Sequence, residues 1–154
     1  MEDRMDVSAL QPDAYRAMVR LDGAVQNVGL PGPLVDLIKL RASQLNGCAY
    51  CVDLHSFDAK AGGETDERVY AVAAWREAPF FDDRERAALA LTESMTRLTD
   101  ERDRVPDQLW EDTRKHFDDK ELAGLVMAIT MINAWNRLGV TLRMVPESYK
   151  RAHA

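Results

Sequence analysis

Apolar residues recur at steps of three and four along most of the chain, and this period predicts amphipathic helices. The first clear example is a helix predicted over residues 12–27, with apolar positions at Tyr15, Met18, Leu21 and Val25. Strict alternation of apolar and polar residues, which is typical of a half-buried strand, never extends beyond a few residues. The pattern therefore predicts an all-α fold.

Glycine, proline and capping residues divide this pattern into about seven helices. The predicted ranges are 12–27, 33–46, 48–61, 65–75, 82–98, 106–117 and 118–138, with 144 as the outer limit of the last. Asn46-Gly47 is a helix stop, and Asp82 with Glu85 has the spacing of a capping box. Residues 1–10 show no period and are predicted to form an arm, 99–105 are predicted to be a charged loop, and Pro146 is predicted to end the last helix.

The length of 154 residues favours a single domain covering the whole chain. Helices 33–46 and 48–61 are separated by one residue, which predicts an antiparallel hairpin with the cysteines at its corner. The helix that begins near residue 118 is apolar nearly all round, so we expect it to be central and buried.

Composition and charge exclude several classes of protein. A net charge of −6 without a block of lysines and arginines is unlike a nucleic-acid-binding protein. The first six residues are too charged for a signal peptide, and the apolar run 122–132 is too short to span a bilayer. These features predict a cytoplasmic protein that binds neither nucleic acid nor a membrane. In a reducing compartment, a close cysteine pair is typical of redox or metal chemistry rather than of a structural disulfide.

Both cysteines of the chain lie in one short segment, Cys48-Ala49-Tyr50-Cys51, and His55 follows four residues after the second. On a helix these offsets bring the three side chains to one side. A helix N-terminus stabilises a thiolate at Cys48, and an imidazole can accept a thiol proton. Such a group suits the reduction of a peroxide by one thiol, followed by closure of a disulfide with the other.

A catalytic histidine needs a group that orients it. Asp36, and less favourably Gln44, lie on the preceding helix, which must fold back past the corner. Two other interpretations remain open at this point. The cysteines could be inert core residues beside a histidine bonded to a backbone carbonyl. They could also bind zinc, but a fourth ligand would have to come from His116, His153 or a carboxylate.

Three segments resemble the alkylhydroperoxidase D-like (AhpD-like) branch of the carboxymuconolactone decarboxylase superfamily. They are the run from Leu37 to His55, the tract 74–77 followed by 85–89 and Glu93, and the run from Ile132 to Leu138. The resemblance covers roughly residues 12 to 145, and its first segment is specific to the branch.

The resemblance implies an AhpD-like helical bundle, a cysteine-based peroxidase activity without a metal or cofactor, and assembly into trimers or hexamers. It implies that Cys51 attacks the peroxide, that Cys48 resolves the oxidised sulfur, and that His55 relays the proton. The glutamate that begins the family relay, twelve residues before the first cysteine, is replaced here by Asp36. The prototype also has a histidine where this chain has Tyr50.

The resemblance therefore predicts a hydroperoxide as substrate and a thiol or protein reductant as electron donor. The alternatives are a disulfide-exchange or redox-responsive protein with little peroxidase turnover, and a lyase of the carboxymuconolactone decarboxylase type. Phe80, Phe81, Trp75 and Trp110 are predicted to lie at contacts between subunits.

Overall fold

The computed structural model describes residues 2–99 and 104–153 and is helical throughout the described part, with no strand. These residues form nine α-helices: α1 (Val7–Leu10), α2 (Pro12–Val25), α3 (Gly32–Asn46), α4 (Ala49–Ala61), α5 (Asp66–Ala71), α6 (Asp83–Thr96), α7 (Asp107–Arg114), α8 (Asp119–Leu142) and α9 (Glu147–Ala152). A short 3-10 helix, Val72–Ala74, follows α5. The prediction of an all-α fold is confirmed.

The capping residues act where the sequence predicted them. Asp82 and Asp118 each accept a hydrogen bond from the backbone three residues later, and the glutamates at those positions, Glu85 and Glu121, bond back to the capping residue. Thr65 caps α5 in the same way through its hydroxyl group. Local hydrogen bonding therefore determines where these helices begin.

The two ends of the chain differ from the prediction. The N-terminal arm contains the short helix α1, and the segment before it is fastened to the end of α8, with the Arg4 amide donating to the Leu142 carbonyl at 2.8 Å. After Pro146 the chain forms another helix, α9, which the sequence pattern did not indicate. Both helices are short and bury no residue, so they have no apolar period to detect. Most of the predicted charged loop 99–105 lies outside the described residues.

Helix α3 lies at the centre of the fold. It contacts α4 on one side and α6 and α8 on the others. Leu37, Ile38 and Leu40 are completely buried. Removing this apolar area from water is the main force that holds the hairpin of α3 and α4 against the other helices.

Helix α8 is also central, since it contacts α2, α3, α4, α6 and α7. It has 24 residues, and its bounds lie within the outer limits predicted from the sequence. By length and composition alone it could cross a membrane, and 44% of its most apolar part is buried inside the protein.

Two of the aromatic residues predicted at subunit contacts belong to the core. Trp75 and Phe81 are each only 5% exposed. The Trp75 indole donates a hydrogen bond of 2.9 Å to Glu93. Trp110 packs against the core while partly exposed, and Phe80 is 45% exposed. The prediction was wrong for Trp75 and Phe81 because both belong to a buried apolar cluster that includes Leu37 of α3 and Leu89 of α6.

Candidate functional site

The two cysteines lie at the corner between α3 and α4. Gly47 ends α3 in the left-handed conformation, with φ of 67°, which glycine adopts without steric cost. Cys48 is the N-cap of α4, and its sulfur accepts a hydrogen bond of 3.3 Å from the Cys51 amide. Cys48 and Cys51 form a disulfide, with 5.3 Å between their Cα atoms. The corner that the sequence predicted is therefore present, and its cysteines are close enough to bond.

Both sulfur atoms are shielded from water by α8. Cys48 is 1% exposed and Cys51 is 3% exposed. Gly139 on α8 packs directly behind them, so a Cβ atom at this position would lie 2.5 Å from the Cys48 sulfur and 3.3 Å from the Cys51 sulfur. Sequence reasoning missed Gly139, although a glycine inside an apolar helix is a recognised sign of close backbone approach.

His55 lies one turn beyond Cys51 on α4 and is also buried, with 7% exposure. Its Nδ1 atom is 3.4 Å from the Asp58 carboxylate, within ion-pair distance, but no hydrogen bond forms. Burial and the nearby Lys39 ammonium lower the pKa of His55 from 6.5 to about 4, against the opposing effect of Asp58. The imidazole is therefore neutral at physiological pH and can accept a proton.

A cavity of about 180 Å³ opens beside Cys51 and His55. Its walls are mostly apolar and come from α2, α4, α8 and the segment after α8, namely Tyr15, Val19, Asp22, Tyr50, Leu54, Trp135 and Met144. The rings of Tyr15 and Trp135 meet edge to face, with 5.5 Å between their centroids. Cys48 is not among the residues that line this cavity. A small molecule inside it would meet Cys51 first.

Asp36 lies at the opposite end of α4 from the cysteines. Its carboxylate faces Gly62, where a Cβ atom would lie 3.2 Å from its oxygen. Burial, together with the negative charges of Asp58 and Glu64, raises the pKa of Asp36 from 3.8 to about 6, while Lys39 opposes the shift.

The carboxylate within ion-pair distance of His55 is Asp58, and Asp36 is not. The proposed relay role of Asp36 stays a prediction. The other candidate, Gln44, accepts a hydrogen bond of 3.4 Å from Arg41. The spacing of Asp58, three residues after His55 on the same helix, was a signal that sequence reasoning left unused.

An ion pair between a buried lysine and a partly exposed aspartate lies next to the cavity. The Lys39 ammonium, only 3% exposed, donates to the Asp22 carboxylate at 3.0 Å. Sequence reasoning did not include this pair, because it joins residues of α2 and α3 that are distant along the chain.

Amide side chains fasten the end of α3 to α8. Asn46 donates to Asn133 at 3.0 Å and to Asn136 at 2.9 Å. Asn136, which is 1% exposed, in turn donates to the Ser43 hydroxyl at 3.0 Å. These bonds hold the helix that precedes the cysteines in place, so the asparagines have a structural role.

Within residues 2–99 and 104–153, no group of three or more His, Cys, Asp or Glu side chains is arranged to hold a metal ion. The site is therefore described by its disulfide, its histidine, its apolar cavity and the charges around them.

The sequence profile of the carboxymuconolactone decarboxylase family matches residues 12–94, more than half of the chain. The chain belongs to this family, as an AhpD-like member. One relative is the uncharacterised protein YdfG of Bacillus subtilis, which is 36% identical over 142 residues, covering 92% of this chain and 95% of YdfG.

Solved structures show the same fold. A protein of unknown function from Agrobacterium tumefaciens, suggested to be the antioxidant defence protein AhpD, superposes with a TM-score of 0.90 at 35% identity, over 94% of this chain and 98% of that one. The AhpD core of a peroxidase-related protein from Ralstonia eutropha JMP134 gives a TM-score of 0.80 at 24% identity, over 92% of this chain and 74% of that one. The second likeness is evidence for the fold alone.

Proposed function

We propose that the protein is a thiol-dependent peroxidase that reduces hydroperoxides through the Cys48–Cys51 pair. The observation that carries this proposal is the arrangement of the cavity, which exposes Cys51 and the neutral His55 to a small molecule and leaves Cys48 behind them. A redox disulfide next to a base and an apolar cavity suits attack on an organic peroxide bond.

The chemistry balances with two thiols for each peroxide. His55 takes the proton of Cys51, and the thiolate attacks the outer oxygen of the hydroperoxide. The O–O bond breaks, the leaving alkoxide takes a proton to give an alcohol, and Cys51 becomes a sulfenic acid. The Cys48 thiol then attacks this sulfur, releasing water and closing the disulfide. An external dithiol supplies the two electrons that restore both thiols.

Cysteine variants test this assignment. Reduced wild-type protein should consume tert-butyl hydroperoxide, Cys51→Ser should lose this activity, and Cys48→Ser should react once and retain a sulfenic acid that dimedone traps. Full activity of Cys51→Ser would mean that the attacking thiol is wrongly assigned.

The histidine has a matched control in this chain. His55→Asn should slow the reaction of the thiol by about 10²-fold or more, the usual contribution of a general base. His153→Asn changes an exposed histidine that directly follows α9 and stacks on Tyr149, and it should leave the rate unchanged. Equal rates for the two variants would remove His55 from the mechanism.

Disulfide exchange with a partner protein is the second candidate function. It shares with the peroxidase cycle the step in which an external thiol reduces the Cys48–Cys51 disulfide, and it differs in what oxidises the pair. Stopped-flow measurements on reduced protein separate the two functions. Slow reaction with every hydroperoxide, together with fast exchange against a protein disulfide, would favour the second.

The proposal also specifies a cellular compartment, a reductant and an oligomeric state. The reaction needs a thiol or protein reductant, which fits a reducing compartment such as the cytoplasm.

We also propose assembly into a trimer or hexamer, supported by large exposed hydrophobic side chains such as Phe57 and Tyr70, which are 64% and 72% exposed. Light scattering on the purified protein would measure the mass directly, and a monomer would contradict the assembly.

A further inference from the structure

A second cavity, of about 380 Å³, lies between the N-terminal arm and the end of α8. Met5 and Val7 of the arm line it, together with Leu138 and Leu142 of α8. It is about twice as large as the cavity beside Cys51, which measures about 180 Å³. We call the larger one the arm cavity and the smaller one the thiol cavity. The proposed reaction makes no use of the arm cavity.

The two cavities adjoin each other. Tyr15 of α2, Trp135 of α8 and Met144, which follows α8, line both of them. Cys51 and His55 line only the thiol cavity. A molecule that reacts at Cys51 and is too long for the thiol cavity would therefore pass the three shared side chains and reach the arm cavity.

Hydrogen bonds fasten the arm to the end of α8 and to the segment after it. The Arg4 amide donates to the Leu142 carbonyl at 2.8 Å, and the Arg4 guanidinium donates to the Thr141 carbonyl at 2.9 Å. The Asp3 carboxylate accepts a hydrogen bond of 2.8 Å from the Val145 amide. These bonds give the arm a defined position along α8, so the arm can form the wall of a binding site.

Charge limits what the two cavities can hold. Asp3 and Asp6 line the arm cavity, and Asp22 lines the thiol cavity. Among the described residues that line either cavity there is no lysine or arginine. A carboxylate on a ligand would meet negative charge in both cavities, whereas an uncharged apolar chain would cover the aliphatic side chains of the arm cavity and remove them from water.

We propose that the arm cavity is a subsite for the uncharged, apolar tail of a hydroperoxide whose peroxide group lies at Cys51. The preferred substrates are uncharged organic hydroperoxides that extend beyond the thiol cavity, and carboxylate-bearing hydroperoxides of the same length are poor substrates. This inference rests on the proposed function, but the binding of an unreactive analogue tests it without any turnover.

Primary alcohols are suitable probes, because each is the unreactive product of the corresponding hydroperoxide. Their binding to the oxidised protein can be followed by NMR through the amide chemical shifts. Butanol should shift signals around the thiol cavity alone, and decanol should also shift those of residues 3–8. The affinity should rise roughly threefold for each added methylene group, because burial removes the group from water. No shift at residues 3–8 with decanol, or equal affinity for the two alcohols, would overturn the proposal.

A charge placed in the arm cavity provides a second test. In Leu138→Asp, the ratio of decanol affinity to butanol affinity should fall by about tenfold or more, because the tail would displace water from a charged group. Val140→Asp is the matched control, since Val140 lies on the same helix, is 47% exposed and lines neither the arm cavity nor the thiol cavity. It should leave the ratio unchanged. The same ratio in both variants would contradict the subsite.

The preference for an uncharged ligand can be tested with a matched pair of probes. The methyl ester of ω-hydroxydecanoic acid should bind more tightly than the free acid, which carries a carboxylate at neutral pH. Asp6→Asn should narrow this difference by about two- to fivefold, since it removes a negative charge from the arm cavity. Asparagine caps helices as well as aspartate does, so α1 should remain in place. An unchanged difference in Asp6→Asn would overturn the choice of an uncharged ligand.

The rates of the reduced protein separate this inference from the proposed function. The wild type should have a higher kcat/KM for decyl hydroperoxide than for butyl hydroperoxide. The ratio of the two values should fall by about tenfold in Leu138→Asp and stay the same in Val140→Asp. If neither hydroperoxide reacts, the proposed function fails while the alcohols still decide the subsite. If both react and decanol does not reach residues 3–8, only the inference fails.

Discussion

At the scale of single residues, Gly139 determines how closely α8 approaches the disulfide. Its missing side chain leaves the space that the two sulfur atoms occupy. Well-packed interiors have little room to absorb an added methyl group. The sulfur positions therefore depend on a residue that carries no chemistry of its own.

Gly139→Ala should destabilise the protein. The new Cβ atom would lie 2.5 Å from the Cys48 sulfur, so α8 or the corner must shift. We expect a loss of about 1–3 kcal/mol in the free energy of unfolding, the usual range for overpacking. Urea denaturation of the oxidised protein measures it.

Gly23 provides the matched control for this prediction. It also lies inside a helix, α2, and a Cβ atom there would meet nothing within 4 Å. Gly23→Ala should stabilise the protein by roughly 0.5–1 kcal/mol through helix propensity. Stabilisation by Gly139→Ala as well would show that the space behind the sulfurs is not tight.

At the scale of secondary-structure elements, the active corner depends on how α3 is joined to α8. The side chain of Asn46 reaches across to Asn133 and Asn136, and Asn136 also bonds to Ser43. Helix α4 then carries Cys51 and His55 on one side because of its period. The helical period therefore places the two side chains along α4. The hydrogen bonds of the asparagines hold the end of α3, and with it the start of α4, against α8.

Asn136→Ala should loosen this corner. Asn46 would lose one acceptor and the buried Ser43 hydroxyl would lose its donor, which should cost about 1–3 kcal/mol in the free energy of unfolding. The disulfide should also be reduced faster by dithiothreitol. Thiol release and chemical denaturation measure the two effects.

Thr130→Ala is the control on the same helix. The Thr130 hydroxyl is exposed and bonds only within α8, to the Val126 carbonyl. Its removal should change the stability by less than about 0.5 kcal/mol and leave the reduction rate as it is. If Asn136→Ala behaved in the same way, the amide bonds would have no part in holding the corner.

At the scale of the whole molecule, the buried His55 and the half-buried Asp36 make the stability depend on pH in opposite directions. His55 has a pKa of about 4 in the folded protein and 6.5 in the unfolded chain. Its contribution to the free energy of unfolding is therefore lost as the pH falls from 6.5 to about 4. Asp36 has a folded pKa of about 6 against 3.8, so the folded protein holds the proton more tightly. Its contribution is lost as the pH rises from about 4 to about 6.

Asp36→Asn should therefore stabilise the protein above pH 6 and have no effect below about pH 4. The gain should be roughly 1–2 kcal/mol, since partial exposure of the carboxylate screens its charge. Thermal unfolding across this pH range measures it. A difference in stability between Asp36→Asn and the wild type that stayed constant across this pH range would contradict the sign of the shift.

The sequence alone determined the parts of this protein that depend on near neighbours along the chain. Helical period, capping residues and the Asn46-Gly47 stop depend on hydrogen bonds and side chains within one or two turns. They predicted the helix boundaries from α2 to α8 within a few residues and placed Cys48, Cys51 and His55 on one helix. The short helices α1 and α9 were not predicted, because they bury no residue and so show no apolar period.

Only the tertiary structure decided what surrounds those three side chains. The contacts of Gly139 with the sulfurs, of Lys39 with Asp22, and of Trp135 with Tyr15 join residues that are far apart in sequence. The tertiary structure also places Asp58, rather than Asp36, within ion-pair distance of His55. Burial and charge at a site are sums over all the helices that meet there, and no local pattern records that sum.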